Sequence, residues 1–366
     1  MSISDDVTEV ATTAPITPTS NSRPPFSKRL ARSLSVRRIG AVYVLIIISI
    51  IFSFWAPTLF PRWATVLQIV NSNAIGALAA LTLIFPLSAG VFDLSEAYTM
   101  SLTGVVVAYL VVNHNVPFWL AILAAMGFAF FVGMLNVGVV VIMKIDSFIG
   151  TLATGSLVTA LIALVSGGNT IAGIQLFGGF AKVAQGKFLG FVYPVWYALV
   201  LAIIVWYIFE YTAFGRRLYA TGFNKRAARL AGVQTDWLQA ITLIVGAMLA
   251  GLVGIVLASF IGAGSGDIGT PYLLTSFAAV FLGATQFKEG RFNALGTIIA
   301  ILLLGTGETG LTLANAPSWT LSAFTGVVLI AALAVTGLQR RKVGFSAKVE
   351  TTEESHAEAT EIRVDK

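Results

Sequence analysis

The sequence predicts an all-α polytopic membrane protein of about ten transmembrane helices, and three observations carry that prediction. Lys, Arg, Asp and Glu together are 11% of the 366 residues, against about 25% in a soluble globular domain. Of the 40 charges, 9 lie in residues 1–38 and 12 in residues 339–366, so only 19 remain for the 300 residues between them. Within that middle region, long apolar runs alternate with short breaks of Gly, Pro and charge.

A helix needs about 20 mostly apolar residues to cross the hydrocarbon core. Runs of that kind occupy 39–60, 64–90, 96–112, 118–143, 147–166, 193–211, 237–261, 273–286, 294–313 and 319–338, the eighth being short enough to be re-entrant. The first follows the basic cluster Lys28, Arg29, Arg32, Arg37 and Arg38 and is too long for a signal-peptide core, so it reads as a retained span. Residues 1–38 and 339–366 are rich in Pro, Ser, Thr, Lys and Glu, a composition that buries too little apolar surface to order itself. They read as disordered tails around a membrane domain at 39–338.

Lys and Arg stay on the cytoplasmic side of a bilayer. With ten spans and both termini inside, 20 of the 23 basic residues are cytoplasmic and only Arg62, Lys182 and Lys187 face out. Inverting the chain or dropping a span would export either a basic tail or the basic segment at 216–229. Spans two to five and seven to ten then start from opposite sides, a parity that permits an inverted repeat, although the two halves share little sequence.

Composition also excludes chemistry. With no Cys and two His (His114 and His356), the chain has no disulfides or thiolate sites, and zinc chemistry is improbable. The net charge of +6 is spread beside apolar runs, not gathered on a soluble face, which argues against a nucleic-acid partner. No Gly-x-x-x-x-Gly-Lys-Ser/Thr phosphate loop occurs, Gln185-Gly186-Lys187-Phe188 being the nearest string, and no Gly-x-Ser-x-Gly elbow lies in the spans. The chain is therefore expected to be no enzyme, with no catalytic residue, no metal and no cofactor of its own.

The most informative segment is the inner loop at 210–236. Asn224 is a good N-cap and Gly232 a good helix stop, so residues 225–231 are expected to form about two helical turns. Ala227, Ala228 and Ala231 offer a small contact surface ringed by Lys225, Arg226 and Arg229. Two readings fit: a helix that docks in a groove of a cytoplasmic partner, or a basic loop that only fixes topology.

The run Phe214-Gly215-Arg216-Arg217-Leu218-Tyr219-Ala220-Thr221-Gly222-Phe223-Asn224, continuing to Ala227-Ala228-Arg229-Leu230-Ala231-Gly232-Val233, resembles the cytoplasmic coupling segment of the ribose/xylose-type ABC importer permeases. Four further stretches match that family in order: Asp93-Leu94-Ser95; Gly133-x-x-Asn136; Ser147-Phe148-Ile149-Gly150-Thr151-Leu152-Ala153-Thr154-Gly155; and Ala278-Ala279-Val280-Phe281-Leu282-Gly283 with Gly290-Arg291 and Gly296-Thr297. The resemblance covers about residues 40–338. It implies two permease subunits around one pathway, here expected as a homodimer in the plasma membrane, with a cytoplasmic ATPase subunit that uses ATP and Mg and an extracytoplasmic sugar-binding protein. The coupling role it implies falls on Gly215, Arg216, Arg217, Ala220, Gly222, Asn224, Ala227, Ala228, Arg229 and Gly232.

The departures from the family are Glu96 after Asp93-Leu94-Ser95 and Glu308 in the ninth span, each adding a charge where the family generally has none. An ionisable group inside a span is a functional candidate by default. Glu308 lies five residues from the end of its run, among Gly305, Gly307 and Gly310, and either lines a pathway or bonds a neighbouring helix. Asp93 and Ser95 either cap the third span or line a pathway. Gln68, Asn71, Ser72 and Asn73 form a polar band in span two, open to solute contact or to interhelical bonding, and Thr151 and Thr154 in span five are further candidates for the substrate pathway. Most glycines read as helix-packing positions, and Gly262–Gly269 as a flexible outer loop whose Asp267 faces either water or a docked binding protein. The expected function is the membrane subunit of an ATP-driven importer for a monosaccharide or polyol, working by alternating access. The alternative is an ion-coupled secondary transporter using Glu308, Glu96 or Asp93, and a membrane-embedded enzyme is a distant third.

Overall fold

The computed structural model describes residues 36–287 and 290–335, almost all of it helical. Helix α1 (Val36–Trp55) ends two residues before Pro57, short of the expected limit at 60, because proline cannot donate to the preceding turn. Helices α2 (Trp63–Ser72) and α3 (Ala74–Ser88) are the two limbs of the second apolar run, bent by 43° across Asn73. Next come α4 (Glu96–His114), α5 (Phe118–Asn136) with a π-helical continuation at Val137–Ile142, and α6 (Ser147–Ser166). A long connection then carries β1 (Ile171–Ala172) and the hairpin β2 (Lys187–Phe188) and β3 (Phe191–Val192). Beyond it lie α7 (Tyr193–Tyr211), α8 (Ala213–Phe223), α9 (Lys225–Leu230) and α10 (Thr235–Ile261). The chain closes with β4 (Ala263–Gly264), α11 (Thr270–Ala284), α12 (Ala294–Leu313) and α13 (Trp319–Val335).

Within the described residues all ten apolar runs carry helix, but they are not equal in reach. Among the described residues, α4, α5 with its π-helical turn, α6, α7, α10 and α12 are long and apolar enough to cross a membrane, and the bent α2–α3 pair makes a seventh. The apolar stretches of α1, α11 and α13 are shorter. At about 1.5 Å per residue, the 15 residues of α11 rise roughly 22 Å, against a hydrocarbon core of about 30 Å. The tails read at the two ends of the chain lie outside the described residues, apart from the first turn of α1.

Helix α3 is the centre of the bundle. All 15 of its residues are buried, as an evenly apolar helix requires, and it packs against α7, α10, α11 and α12. Helices α5 and α7 instead expose Leu123, Phe131, Val200 and Ile203 outward, the surface a lipid-facing helix presents.

The reading of Gly262–Gly269 as a flexible loop is corrected. β4 pairs antiparallel with β1, Gly269 N donates to Ser101 Oγ at 3.0 Å, and the segment lies flat along α4. A Cβ on Gly264 would stand 2.7 Å from the Gly104 carbonyl oxygen, and one on Gly269 would stand 2.1 Å from that of Ala97. These glycines serve close backbone contact, so α11 starts beside the N-terminal half of α4 and not at its C-terminal end.

Candidate functional site: a solute cavity and a coupling surface

The basic connection folds into two helices where the sequence suggested one. Thr212 caps α8, its Oγ1 accepting from Gly215 N at 3.2 Å. Asn224 caps α9, its Oδ1 accepting from Ala227 N at 3.0 Å, and Gly232 stops that helix with φ of +81°. The Asn224 and Gly232 roles are as expected. The Thr-x-x-Gly start of α8 went unread because a run with Gly215, Thr221 and Gly222 has poor helix propensity, and buried contacts supply the difference.

Those contacts make α8 a hub. A Cβ on Gly215 would lie 2.5 Å from Phe209 Cα in α7, and one on Gly222 only 2.3 Å from the Ser88 carbonyl oxygen at the end of α3. Tyr219 donates its hydroxyl to the Phe292 carbonyl at 2.6 Å, just before α12, and burial pushes its phenol pKa up so the proton stays available. The Arg291 guanidinium sits 5.3 Å from the centre of the Tyr219 ring. One short helix thus touches the ends of α3 and α7 and the approach to α12. Arg216, Arg217 and Ala220 of α8, with Phe223, Asn224, Arg226, Ala227 and Leu230 around α9, are exposed. Ala228, expected on the contact surface, is buried instead. Arg229 is turned to Asp236, with its Nη2 2.7 Å from Oδ1.

Asp93 and Ser95 do not cap α4 through their side chains. Asp93 Oδ1 accepts from Ser95 N at 3.0 Å and from Ser95 Oγ at 2.6 Å, and Asn136 Nδ2 donates to Ser95 Oγ at 2.7 Å. Glu96, also buried, takes the Thr82 hydroxyl on one oxygen. Thr151 Oγ1 accepts from Leu94 N at 3.0 Å, and Thr154 bonds the Gly150 carbonyl at 3.1 Å. These groups hold the α3–α4 connection against α5 and α6.

The other polar band converges elsewhere. Asn73, at the α2–α3 bend, and Glu308, fourteen residues or roughly 21 Å along α12, line one cavity of about 440 Å³. Ser72, Tyr272 and Thr275 of α11, and Ser322 and Thr325 of α13 complete its polar wall, and Thr325 Oγ1 donates to Glu308 Oε1 at 3.1 Å. The carboxylate is the only charged group among the described lining residues. The three glycines around it are packing positions: a Cβ on Gly305 would strike Asn73, one on Gly307 Phe324 and one on Gly310 Phe52. Asn71 is used elsewhere, accepting from Val192 N at 3.0 Å to pin the β2–β3 hairpin, and Gln68 is exposed outside the cavity wall. Tyr272, Thr275, Ser322 and Thr325 were missed because they arrive from two short helices with no local signal in common.

A family profile described as "Branched-chain amino acid transport system / permease component" matches residues 65–333. The chain is 30% identical over 306 residues to the ribose import permease protein RbsC of Bacillus subtilis, covering 84% of this chain and 94% of that one. It is 28% identical over 302 residues to RbsC of Escherichia coli K12 (80% and 91% covered) and 29% identical over 307 residues to the L-arabinose transport system permease protein AraH of the same strain (82% and 92%). Five ordered motifs, an apolar helical bundle and similarity along nearly the whole of these relatives agree: the chain belongs to the ribose/xylose-type family of ABC importer permeases, multi-pass proteins of the inner membrane.

Proposed function

We propose that this chain is the transmembrane subunit of an ATP-binding-cassette importer that carries a monosaccharide or related polyol by alternating access. It crosses the membrane about ten times with both termini inside, and pairs with a second copy of itself. A cytoplasmic ATPase binds ATP and Mg and docks on the exposed face of α8 and α9. An extracytoplasmic binding protein delivers the sugar. The observation that carries this reading is the α8 hub, whose glycine contacts reach α3 and α7 while its outer face stays uncovered. Closure of an ATPase pair pushes on that face, and a helix with no room for a side chain at Gly215 or Gly222 passes the push on with little slack.

The cavity around Asn73 and Glu308 is the proposed solute site. Its hydroxyls, amide and single carboxylate suit a polyhydroxylated solute, each hydrogen bond being worth about 0.5–1.5 kcal/mol net. Asp93, Ser95, Thr151 and Thr154 then support the pathway wall and do not touch solute.

The test is uptake by sealed vesicles. The chain reconstituted with its ATPase and binding protein accumulates labelled D-ribose, or a hexose or pentitol tried in parallel, only when ATP is supplied. Uphill uptake by the chain alone, driven by a proton or sodium gradient and lost in Glu308→Gln, would replace this reading with the ion-coupled one.

A further inference from the structure

A second cavity, of about 310 Å³, lies where α5 ends and α6 and α10 begin, on the side of the α8–α9 hub. Three cations line it: Lys144, Lys225 and Arg229. Against them stands one lining carboxylate, Asp236, already held by Lys225 Nζ at 2.9 Å and Arg229 Nη2 at 2.7 Å. Lys225 Nζ also donates to Gln239 Oε1 at 2.5 Å. The nearby carboxylate of Asp146 is occupied as the cap of α6, accepting from Phe148 N at 3.0 Å. Lys144 has no hydrogen bond or ion pair among the described residues, although its charge reaches Asp236, and it sits at φ of +59° two residues after the π-helical turn. A left-handed lysine is costly, and the turn that imposes it brings its ammonium to the cavity wall. The cavity therefore carries two positive charges in excess of its one carboxylate.

Its surroundings are apolar. Ile142, Met143, Phe148 and Ile149, which flank Lys144 in sequence, are all more than half exposed. They lie at the ends of two spans, where exposed Ile and Phe meet acyl chains and not water. A basic recess whose apolar wall is Val91, Val140, Val141 and Ile145, with such exposed side chains next to Lys144 in the chain, matches a charged headgroup whose tails run down the helices.

We propose that this cavity binds the phosphodiester headgroup of an anionic phospholipid, with Lys144 as its principal cation and the acyl chains lying against Ile142 and Phe148. The occupant fixes the depth of the α5–α6 connection in the bilayer and rests against α9. A soluble phosphate would satisfy the same cations but would leave the apolar rim without a purpose.

The test uses the purified full chain released from vesicles of phosphatidylcholine with phosphatidylglycerol and weighed by native mass spectrometry. The unaltered chain retains phosphatidylglycerol and not phosphatidylcholine. Lys144→Glu reduces retention by about tenfold or more, Lys144→Arg keeps it, and Lys182→Glu, remote from the cavity, leaves it unchanged. Lys144→Ala replaces the glutamate variant should that chain fail to fold, with a smaller loss expected. Equal retention of the two lipids, or retention unaffected by Lys144→Glu and Lys144→Ala, overturns the proposal. Displacement of the lipid by millimolar inorganic phosphate, or phosphate binding equally well without lipid, also overturns it, in favour of a soluble-anion site.

Discussion

The cavities at Glu308 and at Lys144 are opposites. The one at Glu308 is walled by hydroxyls, an amide and one carboxylate, while the one at Lys144 has three cations and a carboxylate that two of them already occupy. A solute in transit must be held and then let go, which favours weak neutral hydrogen bonds over several fixed charges. An anchoring site has no such need for release. The charge balance around each cavity therefore separates a candidate passage from a candidate mooring better than their volumes do, since these are about 440 and 310 Å³.

The most damaging way to probe this division is to leave the solute cavity intact and break the hub. In Gly222→Val, the Cβ would fall 2.3 Å from the Ser88 carbonyl oxygen, and overpacking of this kind costs about 1–3 kcal/mol. ATP-driven uptake is expected to vanish while the chain still inserts in the membrane. Gly232→Ala, with nothing within 4 Å of the new methyl, is expected to cost only the backbone strain of its φ, about 1–2 kcal/mol, and to keep most uptake. Equal losses in the two variants would mean that the Gly222 contact passes no force.

At the solute cavity, Glu308→Arg reverses the only charge among the described lining residues and removes the acceptor for Thr325. Uptake is expected to fall by about tenfold, corresponding to about 1.4 kcal/mol, and Glu308→Gln to fall less. Unchanged uptake in the arginine variant would take Glu308 out of the pathway. A step smaller is Asn136→Ala, which removes the donor to Ser95 Oγ in a fully buried network. Leaving such a group short of a partner costs about 1–3 kcal/mol, read as a lower melting temperature of the purified chain, with substrate preference unaltered.

Much of this architecture was legible in the sequence because a bilayer punishes exposed backbone, so a helix is nearly obligatory wherever an apolar run appears. Local chemistry was legible too: Asn224 and Gly232 bracket α9 as their residue types require. What the sequence did not disclose depends on neighbours distant in the chain. Gly264 and Gly269 look like loop glycines until α4 is placed beneath them. Helix α8 looks like a polar loop until Ser88, Phe209 and Phe292 surround it. Asp93 and Ser95 look like a cap because capping is a local motif, yet Asn136, more than forty residues away, takes up the serine. Glu308 stood out as the charge best placed within a span, whereas Tyr272, Ser322 and Thr325 carry no mark of the cavity they share with it.

The smallest expected effect discriminates between the two uses of the span-two polar band. Asn71 and Asn73 are two residues apart, but the first ties down the hairpin through Val192 N and Gly190 O, at 3.0 and 3.3 Å, and the second lines the cavity. Asn71→Ala is expected to cost about 1 kcal/mol of stability, to speed proteolysis at 187–192, and to leave uptake near normal. Asn73→Leu introduces branched apolar bulk at the bend, close to Gly305, and is expected to reduce uptake more than it reduces stability. The reverse pattern, with uptake lost in Asn71→Ala and kept in Asn73→Leu, would move the passage from the α11–α13 side of the bend to the hairpin side. Glu308 would then be a helix-bonding carboxylate tied to Thr325, and the cavity around it a gap between packed helices.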